Sequence, residues 1–298
     1  MALVLGAALC ATAAAAQAAP ASMRFCDRAS PLTAQQQDRL LRFAAIVQGE
    51  LDASGQAVAL IARSGTDLQR FGLRYSHAGV SLRASDNSPW SVRQLYYACD
   101  EQQPRLFDQG LAGFLFGTDD PSFGHVAIVL MPREAADAVE RVALDNAGAL
   151  ALVGARYSAN AYPFSLRYQN CNQWVMELLA SAWGANTDVA EPRASAQAWL
   201  VDQGYAPPAV EVGSHLLMFA GGFIPWIKFD DHPESDRFAL RFVVSMPASI
   251  EAFVHGRLPT AQHIELCHDE HQVVIRQGWQ PLAEGCRPAP GDRVLALD

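Results

Sequence analysis

Lysine is almost missing from this chain: Lys228 is the only one in 298 residues, and arginine carries the rest of the basic charge. No run of Lys and Arg occurs, and the formal net charge is −9. Sequence-independent nucleic-acid binding needs clustered cations, so that class is excluded. The lysine deficit itself fits a GC-rich coding bias and is assigned no function. No apolar stretch of the mature chain is long enough to span a bilayer. Internal repeats and low-complexity linkers are also missing. With half the residues hydrophobic and 18% charged, the composition is that of a folded globular protein, not a disordered one. The length suits one large domain or a domain plus an appendage.

The first residues, Met1 to Ala21, are apolar and alanine-rich but have no basic start. Ala16-Gln17-Ala18 before Ala19 has the small-x-small form of a signal-peptidase site. The segment is read as a cleaved export signal ending near Ala18, which puts the mature chain in the periplasm or outside the cell. Leu9 stands where a lipoprotein would carry a small residue, so Cys10 is not read as a lipid anchor. Cleavage leaves Cys26, Cys99, Cys171, Cys267 and Cys286. An odd number in an oxidising compartment predicts pairs plus one free thiol. Four cysteines allow three pairings. The short separation favours Cys267–Cys286, Cys26–Cys99 follows by elimination, and Cys171 is left free.

Thr33 with Gln36 forms a capping box, and Leu40, Leu41, Phe43, Ala44, Val47 and Leu51 recur at helical spacing, which predicts a helix over 34–53. Residues 58–62 read as a strand, and 74–83 with 91–99 as a hairpin across the turn-rich segment 84–89. A short helix is expected over 106–115, a strand over 125–131, and a helix from Pro132 to Leu144 with a second piece over 147–152. After the loop 156–169 comes the best-defined helix, 171–183, and then one over 195–203. Beyond Pro207-Pro208, the best candidate boundary, the chain reads as β-rich, with strands over 238–246 and 273–276 and a helix over 248–254. The fold class is therefore α+β, with domains at 26–205 and 206–298.

Asn170 is a good N-cap, which sets Cys171 at the first helical position. Residues 171, 174, 175, 178, 179 and 182 share one face, so the thiol points into the protein at the helix end whose free N–H groups favour an anion. The same N–H groups suit a developing oxyanion. A thiolate also needs a base. His77 stands in a strand beside Gly79, which leaves room for another group, and a Cys–His pair is the arrangement for proton transfer in thiol catalysis. A third polar group should hold the imidazole, and Gln94 on the second hairpin strand is the first choice. Arg93 points the other way by period-two alternation and is expected in solvent or against substrate.

Tyr75-Ser76-His77-Ala78-Gly79-Val80 resembles the Tyr-Ser-His-x-Gly strand of circularly permuted NlpC/P60 proteins, relatives of papain. Tyr168-Gln169-Asn170-Cys171 ahead of an apolar helix is similar to their nucleophile segment, and Tyr157 with Tyr162-Pro163-Phe164 to the loop before it. The span from about Cys26 to Trp183 more closely resembles the bacterial family of unknown function DUF2145. The resemblance implies a papain-like core with a thiol hydrolase or acyltransferase fold. It also implies substrate-facing places for Tyr75, Tyr168 and Gln169 beside Arg93. The third catalytic position in such folds is often His, where this chain has Gln94. The part beyond residue 205 has no counterpart in that core.

His263, Cys267, His268 and His271 have zinc-like spacing, but Cys267 has a disulfide partner to hand and a strand scatters these side chains over two faces, so no metal and no cofactor is expected. The apolar run Leu216 to Ile227 must be covered by something. Two readings stand: a core segment joining the two parts of the chain, or a flap beside Cys171 hinged at Gly221-Gly222. The function these readings support is an exported thiol hydrolase acting on an amide or ester, on a peptide or lipid of the cell envelope. The rival is a non-catalytic binding or envelope-assembly protein on the same fold.

Overall fold

Thr33 begins the first helix, its hydroxyl taking the Gln36 N–H while the Gln36 side chain returns to the Thr33 N–H, as the capping box predicts. The computed structural model describes residues 32–184 and 190–297. The export signal and Cys26 lie outside the described residues. Helix α1 (Ala34–Ala53) turns Phe43, Ala44, Val47 and Leu51 inward and ends before Gly55, whose positive φ of 68° suits the turn into the next strand.

Among the described residues, eight strands make one antiparallel sheet. They are β1 (Val58–Arg63), β2 (His77–Leu82), β3 (Ser91–Ala98), β4 (Gln103–Gln109), β5 (Gly124–Leu130), β8 (Gln262–His268), β9 (Gln272–Gln277) and β10 (Arg293–Ala296), in the order β10-β9-β8-β5-β1-β2-β3-β4. A separate two-stranded ribbon pairs β6 (Ala209–Glu211) with β7 (Arg241–Val243). The predicted hairpin is β2–β3. Residues 106–109, expected to start a helix, instead belong to edge strand β4 against β3, and the helix α2 (Leu111–Phe116) begins only after Gly110. The expected strand over 238–246 is mostly not one: α8 (Glu234–Ala239) takes its first residues, and β7 is three residues long.

Helices cover both faces of the sheet, which is why β1, Val-Ala-Leu-Ile-Ala-Arg, is buried along its whole length and does not alternate. On one face α1 and α2 pack over Ala59, Ile61, Val92, Val126 and Ile128. On the other lie α3 (Arg133–Leu144), α4 (Asn146–Ala151), α5 (Cys171–Trp183), α6 (Pro192–Asp202) and α9 (Pro247–Arg257), over Leu60, Ala78, Val80, Leu95, Ala127 and Val129. Helix α5 is central, with every residue from Cys171 to Ala180 buried. The residues after Pro208 supply three strands to the main sheet through the β5–β8 ladder, so the sheet runs unbroken across the expected boundary. No helix among the described residues is long and apolar enough to cross a membrane.

Cys267 and Cys286 form a disulfide with Cα atoms 5.7 Å apart, which joins β8 to the segment after β9. Cys99 is also disulfide-bonded. Cys171 is free and buried.

Candidate active site

The Asn170 side chain takes the Gln173 N–H at 2.7 Å and so caps α5, leaving Cys171 as its first residue. The same amide donates to the backbone of Ala159 at 3.1 Å and Ser245 at 3.3 Å, which anchors the helix start to two loops. Asn172 Nδ2 donates to the Ser76 carbonyl at 3.3 Å, tying α5 to the chain just before β2. The β2–β3 ladder covers only Val80 to Leu82 against Arg93 to Ser91, so Ala78 lies beyond it on that side. The N–H groups of Asn172, Ala78 and Cys171 itself favour the anion at the Cys171 sulfur. Ala78 is the residue after His77 on β2.

Nε2 of His77 lies in a short contact with Oε1 of Gln94. Gln94 Nε2 donates to Gln109 Oε1 at 2.6 Å, so the oxygen end of Gln94 is the one that faces the ring. An amide oxygen only accepts; the imidazole proton therefore sits on Nε2 and the lone pair on Nδ1, the form a general base needs. The rings of Tyr96 and Phe114 stand 5.8 and 5.9 Å from the imidazole. Gly79 allows the strands to close here: a Cβ on it would come 2.9 Å from the Arg93 carbonyl oxygen.

Burial pushes the Cys171 thiol up to about 11, against the opposing pull of the Asn172 N–H, the Arg63 charge, and the Ala78 and Cys171 N–H groups. Burial, with the Arg63 charge second, pushes His77 down to about 3, while the Gln94 bond works the other way. At neutral pH the closed site holds a neutral thiol and a neutral imidazole. The N–H groups at the sulfur favour its anion.

The other residues read as substrate-facing are turned inward. Arg93 is 8% exposed rather than solvated: its guanidinium grips Asp108 at 2.5 and 2.6 Å and donates to the Ala143 carbonyl, joining β3, β4 and the end of α3. Tyr75 donates from its hydroxyl to Glu265 at 2.5 Å, beside an Arg74–Glu265 ion pair at 2.7 Å. The guanidinium groups of Arg156 and Arg167 lie over the buried Tyr168 ring, 4.9 and 5.6 Å from its centre. Gln169 is wholly buried, taking the Gly154 N–H and donating to the Leu152 carbonyl and Glu177. Burial in these bonds assigns Arg93, Tyr75 and Gln169 to holding the fold.

Sequence reading missed Arg63 and Gln109. Gln109 falls in the segment expected to be helical, and Arg63 ends an apolar strand with no local mark of importance. Of the zinc-spaced residues, Cys267 is in its disulfide, His263 stacks on Trp279 and bonds the Gly278 carbonyl, and His268 packs on Phe43 of α1. The apolar run is not a core segment. In α7 (His215–Gly221) and just after it, Leu216, Phe219 and Phe223 are 77%, 65% and 68% exposed. Its far end reaches the site's loops: the Trp226 carbonyl takes the Ala159 N–H at 2.7 Å, and Trp226 packs against Tyr97.

No curated protein and no solved structure matches this chain. The profile of one family, described as an uncharacterized protein conserved in bacteria (DUF2145), matches residues 50–254. That span runs from β1 into α9, including Arg63, His77, Gln94, Gln109 and Cys171. Because the match takes in the whole constellation and most of the chain, the protein belongs to the DUF2145 family.

Proposed function

We propose that this protein is an exported cysteine hydrolase or acyltransferase acting on an amide or ester, with Cys171 as nucleophile, His77 as base and Gln94 holding the base. The observation that carries the reading is the buried Cys171 thiol at the start of α5, its anion favoured by N–H groups of α5 and of Ala78, the residue next along β2 to His77, whose tautomer is set by Gln94. In the reaction the sulfur bonds the acyl carbon, its proton passes to His77 Nδ1 and then to the leaving amine or alcohol, and water or a second acceptor releases the acyl group. The likeness of the Tyr75–Val80 and Tyr168–Cys171 segments to permuted NlpC/P60 proteins supports a papain-like reading of the core. The apolar side chains exposed on α7 favour a substrate with an acyl chain, such as a cell-envelope lipid, over a soluble peptide. The disulfides fit an exported protein.

The second reading, a binding or envelope-assembly protein on the same fold, draws on the burial that keeps Cys171 protonated. Incubation with p-nitrophenyl acetate, followed by intact-mass analysis, separates the two. The enzyme reading expects one acetyl adduct, lost in Cys171→Ser and slowed about 100-fold or more in His77→Ala. A folded protein that forms no adduct on Cys171, while the same cysteine reacts after denaturation, overturns it.

A further inference from the structure

Helix α7 is apolar on both of its sides. Met218 packs against the small core of Phe242, Val244 and Met246, which seats the helix. Leu216, Phe219 and, just after the helix, Phe223 stand out into solvent, the two rings meeting edge to face at 5.0 Å. From Leu216 to Ile227 no side chain is charged, and the Trp226 indole alone carries a hydrogen-bonding nitrogen or oxygen. The backbone here bonds within its own segment. The Leu217 N–H goes to the Ser214 hydroxyl at 3.1 Å, that of Gly222 to Met218 at 3.1 Å, that of Phe223 to Ala220 at 3.2 Å, that of Ile224 to Gly221 at 2.9 Å and that of Ile227 to Ile224 at 3.1 Å. Pro225 has no N–H to satisfy. At the end of the run Trp226 packs on Tyr97 and Tyr97 on Tyr157, and the chain's single lysine, Lys228, follows.

We propose that α7 and the turn after it are a docking surface for a lipid bilayer, with Leu216, Phe219 and Phe223 entering the acyl region. Hydrocarbon offers no hydrogen-bond partner, so a segment that enters it must bond its backbone internally, and the N–H bonds above are of that kind. A protein partner would ask for more: protein interfaces carry about one hydrogen bond per 100–200 Å², and this run has almost no side chain to supply one. The aromatic group at Trp226 and the lysine beside it are the residue types that settle at headgroup level, apolar body inward and polar tip outward. The charges that border the run are already paired, Glu211 with Arg241 at 3.7 Å and Asp230 with Arg167 at 2.5 Å. With a net charge of −9 the chain gains nothing from anionic headgroups. Docking therefore rests on apolar transfer, and the surface that fits is a zwitterionic one. The proposal stands apart from the reading of Cys171 as nucleophile. It would bring the start of α5 near the membrane, because the Trp226 carbonyl takes the Ala159 N–H and the Ala159 carbonyl takes the Asn170 amide.

The test is flotation of the full chain with vesicles of phosphatidylcholine alone, at about 0.1 M and about 1 M salt. The parent should float to the same extent at both. Phe219→Ser and Phe223→Ser should each lower the partition coefficient about tenfold or more, the change for withdrawing one large apolar side chain from hydrocarbon. Both side chains are exposed, so thermal unfolding of the variants should match the parent. Leu150→Ser, which removes an exposed leucine from α4, should leave flotation unchanged. A folded parent that stays with the buffer, or that floats only with anionic lipid and is released by salt, overturns the proposal. Variants at Phe219 and Phe223 that float like the parent overturn it too, since another part of the chain then holds the vesicle. A dimer seen by light scattering and abolished by Phe219→Ser, in a protein without vesicle affinity, assigns the face to a second copy. Cys171→Ser should float like the parent. Flotation without acetylation by p-nitrophenyl acetate keeps the docking surface and removes the catalytic reading, and acetylation without flotation does the reverse.

Discussion

His77 presents its protonated Nε2 to the amide oxygen of Gln94, and that oxygen is turned toward the ring because the Gln94 nitrogen donates to Gln109. Gln94→Ala would strand a buried imidazole N–H at a cost of about 1–3 kcal/mol and free the ring to rotate. Acetylation of Cys171 should fall at least tenfold. Gln94→Glu places a negative charge beside the ring and favours the imidazolium, so the His77 NMR titration should move up toward neutral pH. An unchanged His77 titration in Gln94→Glu would show that the pair is not in contact in solution.

Acid should unfold this protein through its histidines. Burial, with charges of Arg63 and Arg74 next in rank, pushes His77 down to about 3 and His125 down to about 4, and burial brings His268 down to about 4. The same side chains in an unfolded chain titrate near about 6.5. Between those limits the unfolded chain binds protons that the native protein refuses. The stability these groups contribute is therefore complete above about pH 6.5 and is lost as pH falls toward 4 and below. The loss should reach a few kcal/mol. Urea midpoints at about pH 7 and pH 4.5 measure it, and His268→Asn should flatten the slope.

Glu177 is fully buried at the centre of α5, where it takes bonds from Arg193 at 2.9 and 3.1 Å, Gln197 at 2.8 Å, Gln169 at 2.5 Å and Gln173 at 3.2 Å. Removing one member of a buried pair leaves the other charge uncompensated. Glu177→Ala should therefore cost about 3–5 kcal/mol. Thermal unfolding followed by circular dichroism reads this directly, and a loss below about 1 kcal/mol would mean that water reaches Arg193.

The Cys267–Cys286 bridge closes a short loop, with a sequence separation of 19. Replacing both cysteines by alanine should lower stability by about 2–4 kcal/mol, chiefly by freeing the unfolded chain. Because the bridge lies on β8, away from Cys171, alkylation of Cys171 in the folded double variant should match the parent. A changed rate would show that β8 supports the site through β5 and β1.

Helix α5 was legible from its residues because everything that defines it is local: the Asn170 cap, the apolar spacing, and the start at Cys171. The same holds for α1 with its capping box, and for the β2–β3 hairpin, whose turn residues lie between its strands. Gln94 was legible as well, since the hairpin alone sets its depth relative to His77. Tertiary contacts decided the rest. Residues 103–109 are a strand only because β3 offers them an edge, and that pairing brings Gln109 to Gln94. Arg63 meets His77 through the β1–β2 register, and β3 pairs with β2 only from Val80 onward. The strands after residue 260 join the main sheet through β5, more than 130 residues earlier in the chain. Whether Leu216, Phe219 and Phe223 were buried or exposed was likewise unreadable from a run of apolar letters. Exposure depends on which surfaces the rest of the fold has left unfilled, whereas caps, turns and spacing depend only on neighbours along the chain.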